Sequence, residues 1–86
     1  MGNALVIFKI FPEGPEDVGK VEKALRVLKE GQVKDIRREP IAFGLEAIRV
    51  GIVIPDKQEG AMEKLENAVR NIKGISQVDV EGVTLL

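Results

Sequence analysis

The sequence predicts an α+β fold of element order β-α-β-β-α-β. Three observations predict it: short stretches rich in β-branched residues, two longer stretches whose apolar residues recur at i, i+3, i+7 and i+10, and Pro or Gly wherever one period gives way to the other. Asn3 to Phe11 (NALVIFKIF) is apolar on both faces and stops at Pro12, as expected of a central strand. After the turn Phe11-Pro12-Glu13-Gly14-Pro15, Val18, Val21, Leu25 and Leu28 form the stripe of an amphipathic helix. Pro15 suits its first turn, Glu22 faces Arg26 at i,i+4, and Gly31 is expected to end it. Gln32 to Glu39 holds only Val33 and Ile36 among polar side chains, which predicts a short edge strand bent or bulged between them. Leu45 to Ile54 is the next strand, with Ile48, Val50, Ile52 and Ile54 on one face and Ala47, Arg49, Gly51 and Val53 on the other. The loop Pro55 to Gly60 breaks it. Met62, Leu65, Val69 and Ile72 repeat the helical spacing, Glu66 faces Arg70, and Gly74 is placed to end this second helix. In the last strand, from about Ile75, Val78 and Val80 alternate while Val83 and Leu85 fall out of phase, so a bulge is expected near Glu81-Gly82.

That order repeats one unit twice, the ferredoxin-like split arrangement. Right-handed crossovers then give four antiparallel strands in the order 4-1-3-2, with both helices on one face, as a single domain over residues 1–86. One end of the molecule carries the Phe11 to Pro15 loop, the Pro40 to Gly44 turn and Gly74. The other carries the N-terminus, Gly31, the Pro55 to Gly60 loop and Leu86.

Composition narrows the chemistry. The 86 residues are 44% apolar and 31% charged, so most Val, Ile and Leu must go to one core. Cys, His, Trp and Tyr are absent, and the only hydroxyl side chains are Ser76 and Thr84. Disulfides, thiolate or imidazole metal sites, and Cys or His nucleophilic relays are therefore excluded, and no cofactor is implied. The longest apolar run, Ala4 to Phe8, is far short of the ~20 residues a membrane span requires, and no charged segment precedes it, which predicts a cytoplasmic protein. A formal net charge of −1 argues against general affinity for nucleic acid or anionic membranes.

The remaining candidates each have a plain structural reading. Most carboxylates fall beside Lys or Arg on helix faces, as solvated pairs. Lys34, Arg37 and Arg38 could meet phosphate, but Asp35 and Glu39 interrupt them and charge is usual on an edge strand. Most of the nine glycines lie at element ends, and none forms a phosphate-cradling loop. Phe8 and Phe11 on the first strand, with Phe43 just before the third, invite comparison with RNA-recognition modules, whose aromatics stack bases. The third-strand signature of those modules is missing, since Pro40-Ile41-Ala42-Phe43-Gly44-Leu45-Glu46-Ala47 supplies one aromatic and no basic residue beside it. Phe8 completes the helix-facing side of its strand with Val6 and Ile10. Phe43 sits at a turn, where the residues alone leave it either in the core or projecting as an anchor for a protein partner. The sheet face away from the helices joins Leu5, Ile7, Lys9 and Phe11 to Ala47, Arg49, Gly51 and Val53, with Gln77, Asp79 and Glu81 alongside. It reads as a contact surface or a homodimer face.

The sequence resembles the archaeal translation elongation factor 1 beta family, which is similar to the exchange domain of the eukaryotic factor. The resemblance runs over nearly the whole chain. It rests on Met1-Gly2 and Lys9-Ile10-Phe11-Pro12-Glu13, on Glu39-Pro40-Ile41-Ala42-Phe43-Gly44-Leu45, on Asp56-Lys57, and on Gly74-Ile75-Ser76 with Asp79-Val80. It implies a guanine nucleotide exchange factor that promotes GDP release and GTP loading on elongation factor 1 alpha, by protein contact without covalent chemistry. In the family, the aromatic between small residues in the turn before the third strand presses on the GTPase. Phe43 matches it, with Pro40, Ala42 and Gly44 around it. Thr84, Leu85 and Leu86 match the C-terminal contact, but the eukaryotic domain has a lysine just before its last residue that disturbs a magnesium site. Leu85 stands there in this chain, so that step is not carried over. Two other classes compete with exchange: a small-molecule-sensing or dimerising module of the same fold, and an RNA-binding module.

Overall fold

The computed structural model describes residues 2–55 and 58–86. Its elements are β1 (Asn3–Pro12), a single 3₁₀ turn (Pro15–Asp17) leading into α1 (Val18–Arg26), β2 (Gln32–Pro40), β3 (Glu46–Pro55), α2 (Ala61–Arg70) and β4 (Ile75–Leu85). The strands pair antiparallel in the order β2-β3-β1-β4, so β1 and β3 are central, as their two-sided apolar sequences require. Ala4, Val6, Phe8 and Ile10 of β1 and Ile48, Val50, Ile52 and Ile54 of β3 face the helices and are buried. Val18, Val21 and Leu25 of α1 and Ala61, Leu65 and Val69 of α2 close the core from the other side. Each large side chain so buried contributes roughly 1.5–3 kcal/mol.

Both expected bulges are present. On β2, Val33 pairs with Ile52 and Asp35 with Gly51, which leaves Lys34 as the extra residue. On β4, Val80 pairs with Phe8 and Gly82 with Ile7, so Glu81 is extra, and Val83 and Leu85 return to the helix-facing side. A second irregularity, at Ser76 between the Gln77 and Ile75 pairings, was not expected; it brings Ile75 to the core side with Val78, three residues on.

The helix ends differ from expectation. α1 stops at Arg26, and Leu28 N–H then bonds Leu25 O at 3.3 Å in a tighter turn that still packs Leu28 on the core. Gly31 is not its cap. It passes so close to β3 that a Cβ there would meet Ile52 Cγ2 at 2.5 Å. α2 likewise ends at Arg70, four residues before Gly74. With φ 90° Gly74 steers the chain into β4, and its carbonyl accepts a 2.7 Å bond from Glu13 N–H beyond β1.

Ten- and eleven-residue strands make the molecule long, 43 Å by 19 Å by 17 Å. At one end β2 and β3 turn over through residues 41–45. At the other, Leu86 N–H donates to Asn3 O at 2.8 Å beside the Asn3–Pro55 pair. The loop residues Asp56 and Lys57, and Met1, lie outside the described residues, so that part of the family resemblance has no structural counterpart here. Among the described residues, no helix is long and apolar enough to cross a membrane.

Candidate functional site

The β2–β3 turn begins after the last ladder pair, Pro40 with Glu46. Ile41 N–H donates to Leu45 O at 3.0 Å, and Leu45 N–H donates to Ala42 O at 2.9 Å. Between them Phe43 has φ 53° and Gly44 φ 78°. Two successive positive φ values mark the mirror-image turns that match the twist of a hairpin. Glycine adopts that conformation freely, whereas an L-residue at Phe43 meets a left-handed backbone penalty of about 1–2 kcal/mol. The ring is 99% exposed, so burial offsets none of it. The core alternative for Phe43 is thereby excluded: it is a large apolar side chain, held in a strained conformation, that contributes nothing to packing. Strain of this kind collects at binding sites. Pro40, Ala42 and Gly44 surround it as exposed positions. Ile41, 45% exposed beside it, is a second apolar tip residue, hidden in the sequence because an isoleucine next to a strand reads as core.

Charge holds the base of this turn. Toward the helices, Arg38 Nε donates to Glu22 Oε2 of α1 at 2.8 Å and Arg38 Nη1 lies 3.8 Å from Glu46 Oε1. On the opposite face, Glu39 Oε1 is 3.2 Å from Arg49 Nη1 and Glu39 Oε2 is 3.6 Å from Lys9 Nζ, while Arg49 also pairs with Glu81. The hydrogen bond from Arg38 holds the Glu22 carboxyl below its ordinary value of 4.5. Partial burial opposes this shift, and Arg26 assists it. Because the folded value is the lower one, the stability from this pair is complete above pH 4.5 and is lost as pH falls through the folded value. Glu22→Gln should therefore melt lower than the unaltered chain at pH 7, by up to about 1 kcal/mol, and the gap should close in acid. Paired melting curves from pH 7 to pH 2 check this.

Thr84, Leu85 and Leu86 lie at the far end, so the structure brings Pro40, Ala42, Phe43 and Gly44 together and leaves the C-terminal three apart from them. Leu85 is 72% exposed. With Val83, Met62, Ala61, Ala4 and Ile54 it borders a shallow groove of about 430 Å³. The open sheet face holds no stacking platform, since Phe8 is fully buried, Phe43 stands off the sheet, and only Phe11 remains, under Lys9 Nζ at 5.6 Å. Among the described residues no group of three or more His, Cys, Asp or Glu could hold a metal ion. What the turn presents is an exposed apolar projection made of Phe43 and Ile41.

Residues 5–86 match the EF-1 guanine nucleotide exchange domain. The chain belongs to that family. It is 45% identical over 86 residues to elongation factor 1-beta of Staphylothermus marinus, covering 96% of each chain. It is 42% identical to elongation factor 1-beta of Desulfurococcus amylolyticus, over 100% of this chain and 99% of the other. Against that of Metallosphaera sedula the identity is 43%, over 100% and 98%. Among solved structures, the C-terminal domain of the MgtC protein from Mycobacterium tuberculosis superposes with a TM-score of 0.67 at 11% identity, covering 90% of this chain and 84% of that one. The ACT domain from GTP pyrophosphokinase of Chlorobium tepidum gives 0.65 at 14%, covering 91% and 97%. These two likenesses speak to the fold that the exchange-domain family shares with them, the α+β sandwich described above.

Proposed function

We propose that this chain is a guanine nucleotide exchange factor for translation elongation factor 1 alpha, acting as one domain over residues 1–86 in the cytoplasm. The observation that carries this reading is the fully exposed, left-handed Phe43 at the tip of the β2–β3 turn. Exchange needs no nucleophile or acid, only a complex that favours a GTPase conformation with weak nucleotide contacts, so a chain without His or Cys loses nothing in the role. By linkage, the factor by which the protein weakens GDP binding is the factor by which GDP weakens the protein's own binding. Phe43 acts as the desolvated anchor, and Pro40, Ala42 and Gly44 give it clearance and direction. The test is release of labelled GDP from purified elongation factor 1 alpha with and without the protein: acceleration supports the reading, and an unchanged rate at saturating protein ends it.

Thr84, Leu85 and Leu86 make the secondary contact in this scheme. Leu85 brings no charge to a magnesium site, so deleting Leu85 and Leu86 should reduce exchange no more than it reduces stability. The deletion removes the bond from Leu86 N–H to Asn3 O and the end of the β1–β4 ladder, about 1–2 kcal/mol in all. A fully folded truncation that had lost most of its exchange would point to a different role for the C-terminus.

A further inference from the structure

β2 is an edge strand, and its apolar side chains end at Ile36. Val33 and Ile36 pack against the core, but Arg37, Arg38, Glu39 and Pro40, the residues leading to the turn, send nothing into it. Past Ile36 the outer strand is therefore held by its ladder to β3 and by side-chain ion pairs. Those pairs are arranged on both faces. Arg38 reaches across the helix-facing side to Glu22, sixteen residues earlier in the chain, and also to Glu46 on β3. Glu39 reaches across the open side to Arg49 on β3 and, past that strand, to Lys9 on β1. Arg49 extends the line to Glu81 on β4, so the turn's base is tied to every strand of the sheet and to one helix.

From this geometry we infer that Arg38 and Glu39 are positioning residues for exchange, clamping the hairpin base from both faces so that Phe43 meets the GTPase on a fixed bearing. The inference rests on the reading of Phe43 as the partner contact. Phe43 lies five residues beyond Arg38, each adding up to about 3.3 Å of reach, so a small rotation at the base becomes a large displacement at the ring. An anchor that must be immobilised during binding loses affinity relative to one held beforehand. Exposed ion pairs add little to global stability, so the clamp's removal should show far more in binding than in unfolding.

The chain has no Trp or Tyr, so Phe43→Trp places a single fluorophore at the tip. In that background, Arg38→Ala with Glu39→Ala should lower the anisotropy of the tip while lowering the melting temperature by no more than about 10 °C. In the Phe43 background the same pair of changes should raise the protein concentration giving half-maximal GDP release by about three- to tenfold, with the maximal rate kept. Glu22→Gln separates positioning from direct contact, because it removes the charge of the α1 partner of Arg38 and leaves the guanidinium, with Glu46 still beside it, in place to meet a GTPase. It should reproduce part of the loss, and Arg38→Lys should restore part of it. A raised half-maximal concentration with unchanged anisotropy, or with Glu22→Gln silent, would overturn the clamp in favour of direct contact. If Phe43→Ala abolishes exchange but the clamp variants change neither readout, the clamp alone fails. If Phe43→Ala leaves release unchanged, the reading of Phe43 fails and takes the clamp with it.

Discussion

Phe43→Ala is expected to melt close to the unaltered chain while losing most of its ability to accelerate GDP release. The ring is 99% exposed, so no core contact is lost and no cavity forms. A desolvated aromatic anchor contributes roughly 2–4 kcal/mol of complex, which corresponds to about a 30- to 700-fold weakening. Measuring thermal unfolding beside the release rate separates the two effects, and normal release from the folded variant would refute the anchor. The backbone sharpens the comparison. At φ 53° an asparagine is tolerated better than phenylalanine, so Phe43→Asn should match or exceed the original stability, by up to about 1 kcal/mol, while exchange falls just as far. Gly44→Val should slow release with Phe43 still present, because a β-branched residue cannot hold φ 78° and the turn must redirect the ring.

Phe8→Ala should give the opposite signature. Phe8 is fully buried between Val50 and Val80 on its neighbouring strands, beneath the helix layer. Truncating it removes the burial and leaves a cavity, at a cost of about 3–5 kcal/mol. For a domain of this length total stability is roughly 5–15 kcal/mol, and each kcal/mol shifts the midpoint by about 4–8 °C. The variant should melt tens of degrees lower, yet at a temperature where it stays folded its rate per folded molecule should be that of the unaltered chain. A folded Phe8→Ala with impaired exchange would mean that the core shapes the contact surface directly. Two phenylalanines thus test the molecule from opposite sides.

What separates these two residues was only half legible in the sequence. Phe8 alternates with Val6 and Ile10, and period two alone assigns it to the helix-facing side. Phe43 has no such neighbours, and whether a turn residue is buried depends on how far the helices extend over the sheet, a tertiary fact. The bulges at Lys34 and Glu81 were legible because each shifts the phase of apolar residues along a strand. The irregularity at Ser76 has the same kind of signal, since Ile75 and Val78 both pack on the core three residues apart, but with a single apolar residue before the shift it reads equally well as the start of the strand. Gly31 and Gly74 look like helix caps by local rule. What calls for glycine is, at Gly31, a methyl group of Ile52 and, at Gly74, a left-handed backbone with Asp17 close by, both contacts distant in sequence. The pairing of Glu39 with Lys9 across an intervening strand was equally out of reach, because it depends on the register of three strands at once.

The two bulges have a consequence for how the protein behaves in company. β2 and β4 are the margins of an open sheet, and an open sheet is a template on which a foreign extended segment can be laid. Lys34 interrupts one margin and Glu81 the other, each putting an extra, charged residue into the row of free backbone donors and acceptors. An incoming strand keeps step for a few residues and then falls out of register. The sheet edges are thus poor templates for lateral growth even though the sheet is not closed into a barrel.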